Sequence, residues 1–195
     1  MVQQITLPAS EQSFTLYAVS WDEMEAIAPM MEEHGVRLTY LDGILDLMTP
    51  SPEHEDYKRT IGLLVETYLR FERIRFYDRG SPRLGSRESN SRGEPDESYN
   101  LETKKPVPDL AIEIVFTSGG IEKLAKYERW GVPEVWFWLD RQKQLSIYYL
   151  DADGYKQVSS SILLPNLDIA LLLRCIKIED QYDAVAAFQQ GLQKL

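Results

Sequence analysis

The residue best suited to chemistry is Glu113, a carboxylate inside an apolar segment. It lies at the centre of residues 110–116 (LAIEIVF), which have the length and composition of a buried β-strand. Burying an ionised carboxylate is costly unless a cation pairs with it or it binds a metal ion. Glu113 therefore needs a cation, a bound proton or exposure at the end of its strand. An ordinary salt bridge to a neighbouring lysine or arginine is the structural alternative.

A metal ion held by Glu113 needs a second ligand, and Asp96 is the best candidate. Asp109 shares the strand face of Glu113, but four residues at about 3.3 Å each separate the two by roughly 13 Å. Asp96 lies in Glu94-Pro95-Asp96, on the preceding candidate strand. Hairpin-like pairing of the two strands would bring it opposite Glu113. We expect Asp109 to cap the start of its strand or the loop before it.

A positive group near these acids is the third requirement. Val115 stands two residues after Glu113, where a lysine on the same face would serve, and it carries no charge. The next predicted helix supplies Lys123 and Lys126, with Lys123 in its first turn beside the carboxyl end of the strand. Because a helical lysine is most often only solvated, its assignment to a site needs further support.

The elements that must position these residues form a mixed α/β pattern, predicted as one domain over residues 1–195. Ser20 and Glu23 form a capping box that starts a first helix ending near residue 35. Asp42-Gly43 predicts a hairpin between strands at 36–40 and 44–48. Ser51 and Pro52 begin a long helix to about residue 72. The remaining predictions are a loose start at 1–12, a loop at 80–93, strands at 94–101 and 109–116, a turn at 117–120, a helix at 121–130, strands at 134–139, 145–150 and 155–158, an apolar segment at 169–176 and a terminal helix at 180–195.

The composition restricts the kind of site that the chain can build. A single cysteine, Cys175, excludes an internal disulfide framework and a multi-cysteine zinc site, and it points to a reducing, cytoplasmic setting. With only two histidines, a metal would have to be held mainly by oxygen, which suits Mg²⁺ or Mn²⁺. No apolar run approaches the roughly 20 residues that cross a bilayer, so we expect no membrane partner.

The charge is unevenly distributed along the chain. The formal net charge is −10, which by itself disfavours a polyanionic partner. Residues 58–92 nevertheless contain nine basic residues, eight of them arginine, against four acids. Such a stretch is either a solvated face laced with salt bridges or a local surface for nucleic acid. Composition alone does not decide between the two.

Several of these motifs together resemble a known pattern. Pro95-Asp96, a sixteen-residue gap and Glu113-Ile114-Val115 resemble the PD-(D/E)XK nuclease superfamily with its final lysine displaced. The order and spacing of a larger set of motifs resemble the restriction-endonuclease-like family of this superfamily, over roughly residues 20–175. That resemblance is carried by Tyr40-Leu41-Asp42-Gly43, Met48-Thr49-Pro50-Ser51-Pro52 with His54, Glu94-Pro95-Asp96, residues 108–115, Lys123-Leu124-Ala125-Lys126-Tyr127 and residues 131–136.

The resemblance implies a restriction-endonuclease-like core, a mixed central sheet flanked by helices, with an N-terminal helix and β-hairpin. It also implies Mg²⁺-dependent hydrolysis of DNA phosphodiester bonds, with Asp96 and Glu113 as metal ligands. The catalytic lysine then corresponds to Lys123 rather than Lys126. His54 and Glu66 are candidate accessory groups, although a helix-start hydrogen bond and a solvated helix face are the simpler interpretations.

Two other functions remain open at this stage. The first is a non-catalytic module on a nuclease-like scaffold that binds nucleic acid or protein. The second is an acidic oligomeric scaffold in which Glu113 is only ion-paired. A homodimer would suit a nuclease that cuts both strands of a duplex, because two sites would then face the DNA.

Overall fold

The computed structural model describes residues 11–116 and 121–194, which fold into two β-sheets and five α-helices. The helices are α1 (Trp21–Glu33), α2 (Pro52–Phe71), α3 (Leu124–Trp130), α4 (Ile169–Ile176) and α5 (Gln181–Leu192), with short 3₁₀ turns at Ile121–Lys123 and Asp140–Gln142. The strands are β1 (Gln12–Leu16), β2 (Arg37–Leu41), β3 (Ile44–Thr49), β4 (Phe76–Asp78), β5 (Leu84–Ser86), β6 (Ser91–Gly93), β7 (Glu97–Leu101), β8 (Leu110–Val115), β9 (Glu134–Leu139), β10 (Gln144–Asp151) and β11 (Gly154–Val158). None of the described helices is both long and apolar enough to cross a membrane.

The larger sheet has six strands in the order β11-β10-β9-β8-β7-β4 and is covered on both faces. Only β8 and β9 are parallel, and α3 connects them. Because side chains alternate along a strand, Ile112 and Ile114 face the cluster formed with α2, α4 and α5. Ala111 and Val115 face the opposite cluster, which includes Tyr127 of α3. The position between them, Glu113, therefore points toward α3.

The smaller sheet has five antiparallel strands in the order β1-β3-β2-β6-β5. Met24 and Ala28 of α1 pack on one of its faces against Leu38, Tyr40 and Leu45. The residues of β2 and β3 that alternate with these point the opposite way, and they line a cavity on the other face of the sheet. That cavity separates the small sheet from the carboxyl end of β8, so the two sheets together enclose it.

The predicted hairpin and both early helices are confirmed. β2 and β3 pair across Asp42-Gly43, and α1 begins with the capping box of Ser20 and Glu23. The hydroxyl of Ser51 accepts a hydrogen bond from the His54 amide at 3.2 Å, with proline at the first position of α2. Local capping and apolar periodicity were sufficient here because these elements are long or sharply bounded.

The loop predicted at 80–93 was wrong in part, because β5 and β6 form there and join the small sheet. Strand β1 was not predicted, and its first residue falls in the predicted loose start. The apolar segment at 169–176, for which no element was predicted, is helix α4. A strand of three residues is too short to show a hydrophobic period. An edge strand that is exposed along most of its length lacks such a period as well, so neither kind can be recognised from the local sequence. The predicted turn at 117–120 and the start at 1–10 lie outside the described residues.

Part of the arginine-rich stretch holds α1 in place. Arg83 and Arg92 both contact Glu32, and Arg87 lies 2.7 Å from Asp22. A salt-bridged face therefore accounts for these three arginines without a nucleic-acid partner. The main core contains the buried Trp136, Trp138 and Cys175.

Candidate active site

Glu113 is almost fully buried, and three side chains from the segment after β8 surround its carboxylate. Lys123 Nζ lies 2.6 Å from Oε2, and the Tyr127 hydroxyl donates a hydrogen bond to Oε1. Lys126 Nζ lies 3.5 Å from the same Oε1. All three come from the 3₁₀ turn and α3, which pack on the sheet face to which Glu113 points.

The two lysines differ in their access to the cavity. The Lys123 side chain is 31% exposed, whereas that of Lys126 is 2% exposed. Lys126 also lies 3.4 Å from Thr39 Oγ1 and 5.2 and 5.6 Å from the ring centres of Tyr127 and Trp130. Lys126 is thus an enclosed counter-ion of Glu113, and Lys123 is the lysine that can meet a ligand.

Burial and the surrounding charges shift the pKa values of Glu113 and both lysines. Burial acts to raise the pKa of Glu113, but Lys123 and Lys126 outweigh it and hold the pKa below its usual value. Burial acts to lower the pKa of Lys123, and the Glu113 and Asp96 carboxylates raise it above the ordinary value instead. Burial does lower the pKa of Lys126, against the opposing effect of Glu113.

Asp96 lies next to β8, but in a bend just before β7 and not on a strand, because the strand predicted over 94–101 begins only at Glu97. Glu97 pairs with Ile112 in the antiparallel register, so continuing that register one step places Asp96 opposite Glu113. The Ile114 amide donates to Asp96 Oδ2 at 2.7 Å, and Arg37 of β2 donates to Oδ1. Burial acts to raise the pKa of Asp96, but His54, Lys123 and Arg37 hold it well below its usual range.

His54 is fully buried behind Asp96. Its Nε2 atom lies 3.2 Å from Asp96 Oδ2. The alignment does not meet hydrogen-bond geometry, and neither ring nitrogen has a hydrogen-bond partner among the described residues. Burial acts to lower the pKa of His54, yet the adjacent Asp96 carboxylate raises it above the usual value. His54 therefore lies at the start of α2, where its amide donates to Ser51, and its ring stands behind Asp96 outside the cavity wall.

Asp96, Glu113, Lys123, Lys126 and Arg37 line a cavity of about 280 Å³. Its wall contains six acidic residues and three basic ones within the described chain, so its formal charge is negative. The acidic residues are Glu11, Asp46, Glu94, Asp96, Glu113 and Glu122, and the basic ones are Arg37, Lys123 and Lys126.

The three residues predicted for the site, Asp96, Glu113 and Lys123, therefore share one cavity. Glu66 does not join them, because it faces Arg70 on α2 at 3.4 Å. Asp109 is also elsewhere and has the structural role expected: its carboxylate accepts hydrogen bonds from the Leu101 amide and from Lys105.

Sequence reasoning missed Arg37, Tyr127 and Glu11 and set Lys126 aside. Tyr127 follows Lys123 by four residues, and this helical spacing was the one available signal for it. Arg37 and Glu11 come from the small sheet or the residue before it, far away in sequence, and no local pattern connects them with Asp96.

The donor set fits an oxygen-preferring divalent ion. Two ionised carboxylates line the cavity, and each oxygen retains a lone pair besides the hydrogen bonds described. Glu11 adds an enclosed oxygen, Oε2, that has no hydrogen-bond partner among the described residues. Residues 11–116 and 121–194 contain no group of three His, Cys, Asp or Glu side chains close enough to enclose an ion unaided. Water would have to complete the coordination, as is usual for Mg²⁺.

Comparison with known proteins gives a family assignment. The sequence model of the Uma2 family, described as "Putative restriction endonuclease", matches residues 21–179. Among solved structures, the chain is similar to "a putative nuclease belonging to DUF820 from Anabaena variabilis", with 13% identity over 77% of this chain and 90% of that chain, and a TM-score of 0.48. No curated protein matches the chain. Because the family match spans most of the chain, including Asp96, Glu113 and Lys123, the chain belongs to the Uma2 family, and the resemblance predicted from its motifs is confirmed.

Proposed function

We propose that the protein is a Mg²⁺- or Mn²⁺-dependent endonuclease that hydrolyses DNA phosphodiester bonds. Asp96 and Glu113 hold the ion, and Lys123 is the catalytic lysine. The observation that carries the proposal is the pairing of two ionised carboxylates with a partly exposed ammonium group in one cavity. Membership of a family described as restriction endonucleases supports the same reaction class.

The negative charge of the cavity supports a metal requirement. Six carboxylates against three basic groups would repel a phosphodiester that approached the unaided site. A divalent cation between Asp96 and Glu113 would offset that repulsion. When bound, such an ion supplies Lewis-acid polarisation of the phosphoryl oxygen and a more acidic water.

Lys123 contributes as a fixed positive charge. The Glu113 and Asp96 carboxylates raise its pKa, which favours the ammonium form at neutral pH. From the cavity wall it can donate hydrogen bonds to a phosphate oxygen and stabilise the charge that develops there. Lys126 stays beside Glu113 Oε1 when Lys123 turns to substrate, so the buried carboxylate keeps a counter-charge.

Other residues hold the two carboxylates in place before substrate arrives. Arg37 and the Ile114 amide fix the two oxygens of Asp96. Tyr127 donates a hydrogen bond to Oε1 of Glu113, and Lys126 Nζ stays 3.5 Å from that oxygen, which leaves Oε2 on the side of the more exposed Lys123. Such preorganisation lowers the reorganisation required during the reaction.

The direct test is cleavage of supercoiled plasmid DNA with Mg²⁺ or Mn²⁺, with a chelator as the blank. We expect Asp96→Asn, Glu113→Gln and Lys123→Met each to lower the rate at least about 100-fold, since removing groups that merely support metal ligands already costs 10–100-fold. Glu66→Gln is the matched control, because that carboxylate lies on α2 and faces Arg70. Circular dichroism checks that each variant is folded.

Undiminished cleavage by pure Asp96→Asn or Glu113→Gln would remove the assignment. Calorimetry separates the remaining alternatives. DNA binding without any heat of Mg²⁺ or Mn²⁺ binding at Asp96 and Glu113 would indicate a non-catalytic module. Absence of both metal and DNA binding would indicate an acidic scaffold.

A further inference from the structure

Glu11 places a third carboxylate in the cavity from outside the family match. The matched region begins at residue 21, whereas Glu11 directly precedes β1, the edge strand of the small sheet. Pairing of β1 with β3 anchors the start of this strand beside the cavity, where Glu11 lines the wall together with Asp96 and Glu113. This contribution therefore belongs to the N-terminal strand of this chain.

The environment of Glu11 is unusual for a carboxylate. Its Oε2 atom is enclosed, yet it has no hydrogen-bond partner among the described residues. Buried carboxylate oxygens are normally hydrogen-bonded, paired with a cation or bound to a metal. Asp46 on the same wall differs, because its side chain is exposed and its carboxylate accepts a hydrogen bond from Thr15 at 2.6 Å.

His54 belongs to the same cluster and is fully buried. Its Nε2 and Nδ1 atoms lie 3.2 and 3.4 Å from the carboxylates of Asp96 and Glu55, so it has ionic partners of its own, and its charge acts on Glu11. A hydrated ion held by Asp96 would satisfy Glu11, because its waters can donate to the enclosed Oε2 atom.

We propose that Glu11 binds a water molecule of the divalent ion held by Asp96 and Glu113, as an additional, outer-sphere carboxylate of the metal site. This inference rests on the proposed function. An outer-sphere contact agrees with the finding that no three such side chains in the described chain converge closely enough to enclose an ion directly. Mg²⁺ and Mn²⁺ sites commonly retain several bound waters, and carboxylates that do not touch the ion orient these waters by hydrogen bonds.

The test is Mn²⁺ binding to the full chain without DNA, measured by calorimetry or by the loss of the free-ion electron paramagnetic resonance signal. We expect Glu11→Gln to weaken Mn²⁺ binding about 10-fold, the lower end of the range for groups that orient metal ligands. Asp46→Asn, the control on the same wall, should change it less than about twofold, because the Asp46 carboxylate is exposed to screening by solvent and already accepts a hydrogen bond from Thr15. Glu113→Gln should abolish binding.

Thermal unfolding gives a second readout, in which loss of a metal contact and damage to the fold change the metal-free Tm differently. Because Glu11 keeps an unpaired buried oxygen, Glu11→Gln should leave the Tm of the metal-free protein unchanged or raise it. The same variant should show a smaller rise in Tm on adding Mn²⁺ than the parent chain does. A variant that only damaged the fold would instead lower the metal-free Tm, and that result would overturn the inference.

The outcomes separate the two proposals. If Glu11→Gln binds Mn²⁺ as the parent does while Glu113→Gln does not, the role of Glu11 is refuted and the metal site stands. Equal weakening by Glu11→Gln and Asp46→Asn would also refute it, since only the general charge of the wall would then matter. If the parent chain binds no Mn²⁺, both proposals fail.

Discussion

Glu134→Ala should destabilise the protein strongly and leave the metal site intact. Glu134 begins β9 and is fully buried, and its carboxyl group accepts four hydrogen bonds. The donors are Trp136 Nε1 at 2.7 Å, Ser161 Oγ at 2.6 Å, the Ile162 amide at 2.8 Å and the Leu163 amide at 3.2 Å. Glu134 thereby fastens the turn at residues 161–164 to the central sheet.

The size of the loss in stability depends on which of the four donors can hydrogen-bond to water after the substitution. Ile162 is 49% exposed and Leu163 is half-buried, so their amides can be solvated. Trp136 and Ser161 are buried, and each unpaired donor costs about 1–3 kcal/mol, so the free energy of unfolding should fall by about 4 kcal/mol. Glu134→Gln keeps an acceptor oxygen and should cost about half as much.

Urea unfolding followed by tryptophan fluorescence measures this change, and thermal unfolding should show a fall in Tm of about 10 °C. Glu179→Ala, at an exposed glutamate, is the control and should stay within about 0.5 kcal/mol of the parent. Mn²⁺ affinity of folded Glu134→Ala should be unchanged, because Glu134 and Glu113 lie on opposite faces of the sheet. A loss below about 1 kcal/mol would refute the reasoning that four donors depend on this one carboxyl group.

Two further predictions concern the small sheet. Arg87→Glu should lower the urea midpoint of unfolding only slightly, because solvent screens its repulsion from Asp22 and Glu25, and it should leave DNA affinity unchanged in fluorescence anisotropy. A more than fivefold loss of DNA affinity would make this surface a nucleic-acid contact. Gly85→Ala should cost about 3 kcal/mol in urea unfolding, because φ is +91° and a Cβ would collide with the Ser91 carbonyl oxygen. Unchanged stability would show that β5 and β6 can separate freely.

The chain itself determined most of the fold through local signals. The capping box at Ser20, the Asp42-Gly43 hairpin, the Ser51-Pro52 helix start and the apolar run of β8 each specify their element from neighbouring residues. β5 and β6 were not predictable in this way, because three-residue strands exist only through pairing with β2 and with each other. Their stability comes from partners that are distant in the chain, and such pairing produces no hydrophobic periodicity in the sequence of the strands themselves.

The same distinction applies to the candidate site. An acid inside an apolar strand identified Glu113, and the order of motifs supplied Asp96 and Lys123. That argument taken alone would also select Glu134, which starts an equally apolar strand. Only the tertiary structure separates the two, because neutral donors of a turn surround Glu134 whereas lysines and a cavity surround Glu113.

Charge partners were likewise decided by the folded structure. The sequence established that residues 58–92 are rich in arginine and that the whole chain is acidic. Folding brings Arg83 and Arg92 to Glu32 of α1, while Arg37 of β2 reaches Asp96. Electrostatic interactions depend on distance in space, and these partners lie 51 to 60 residues apart in sequence, so composition could count the charges but not pair them.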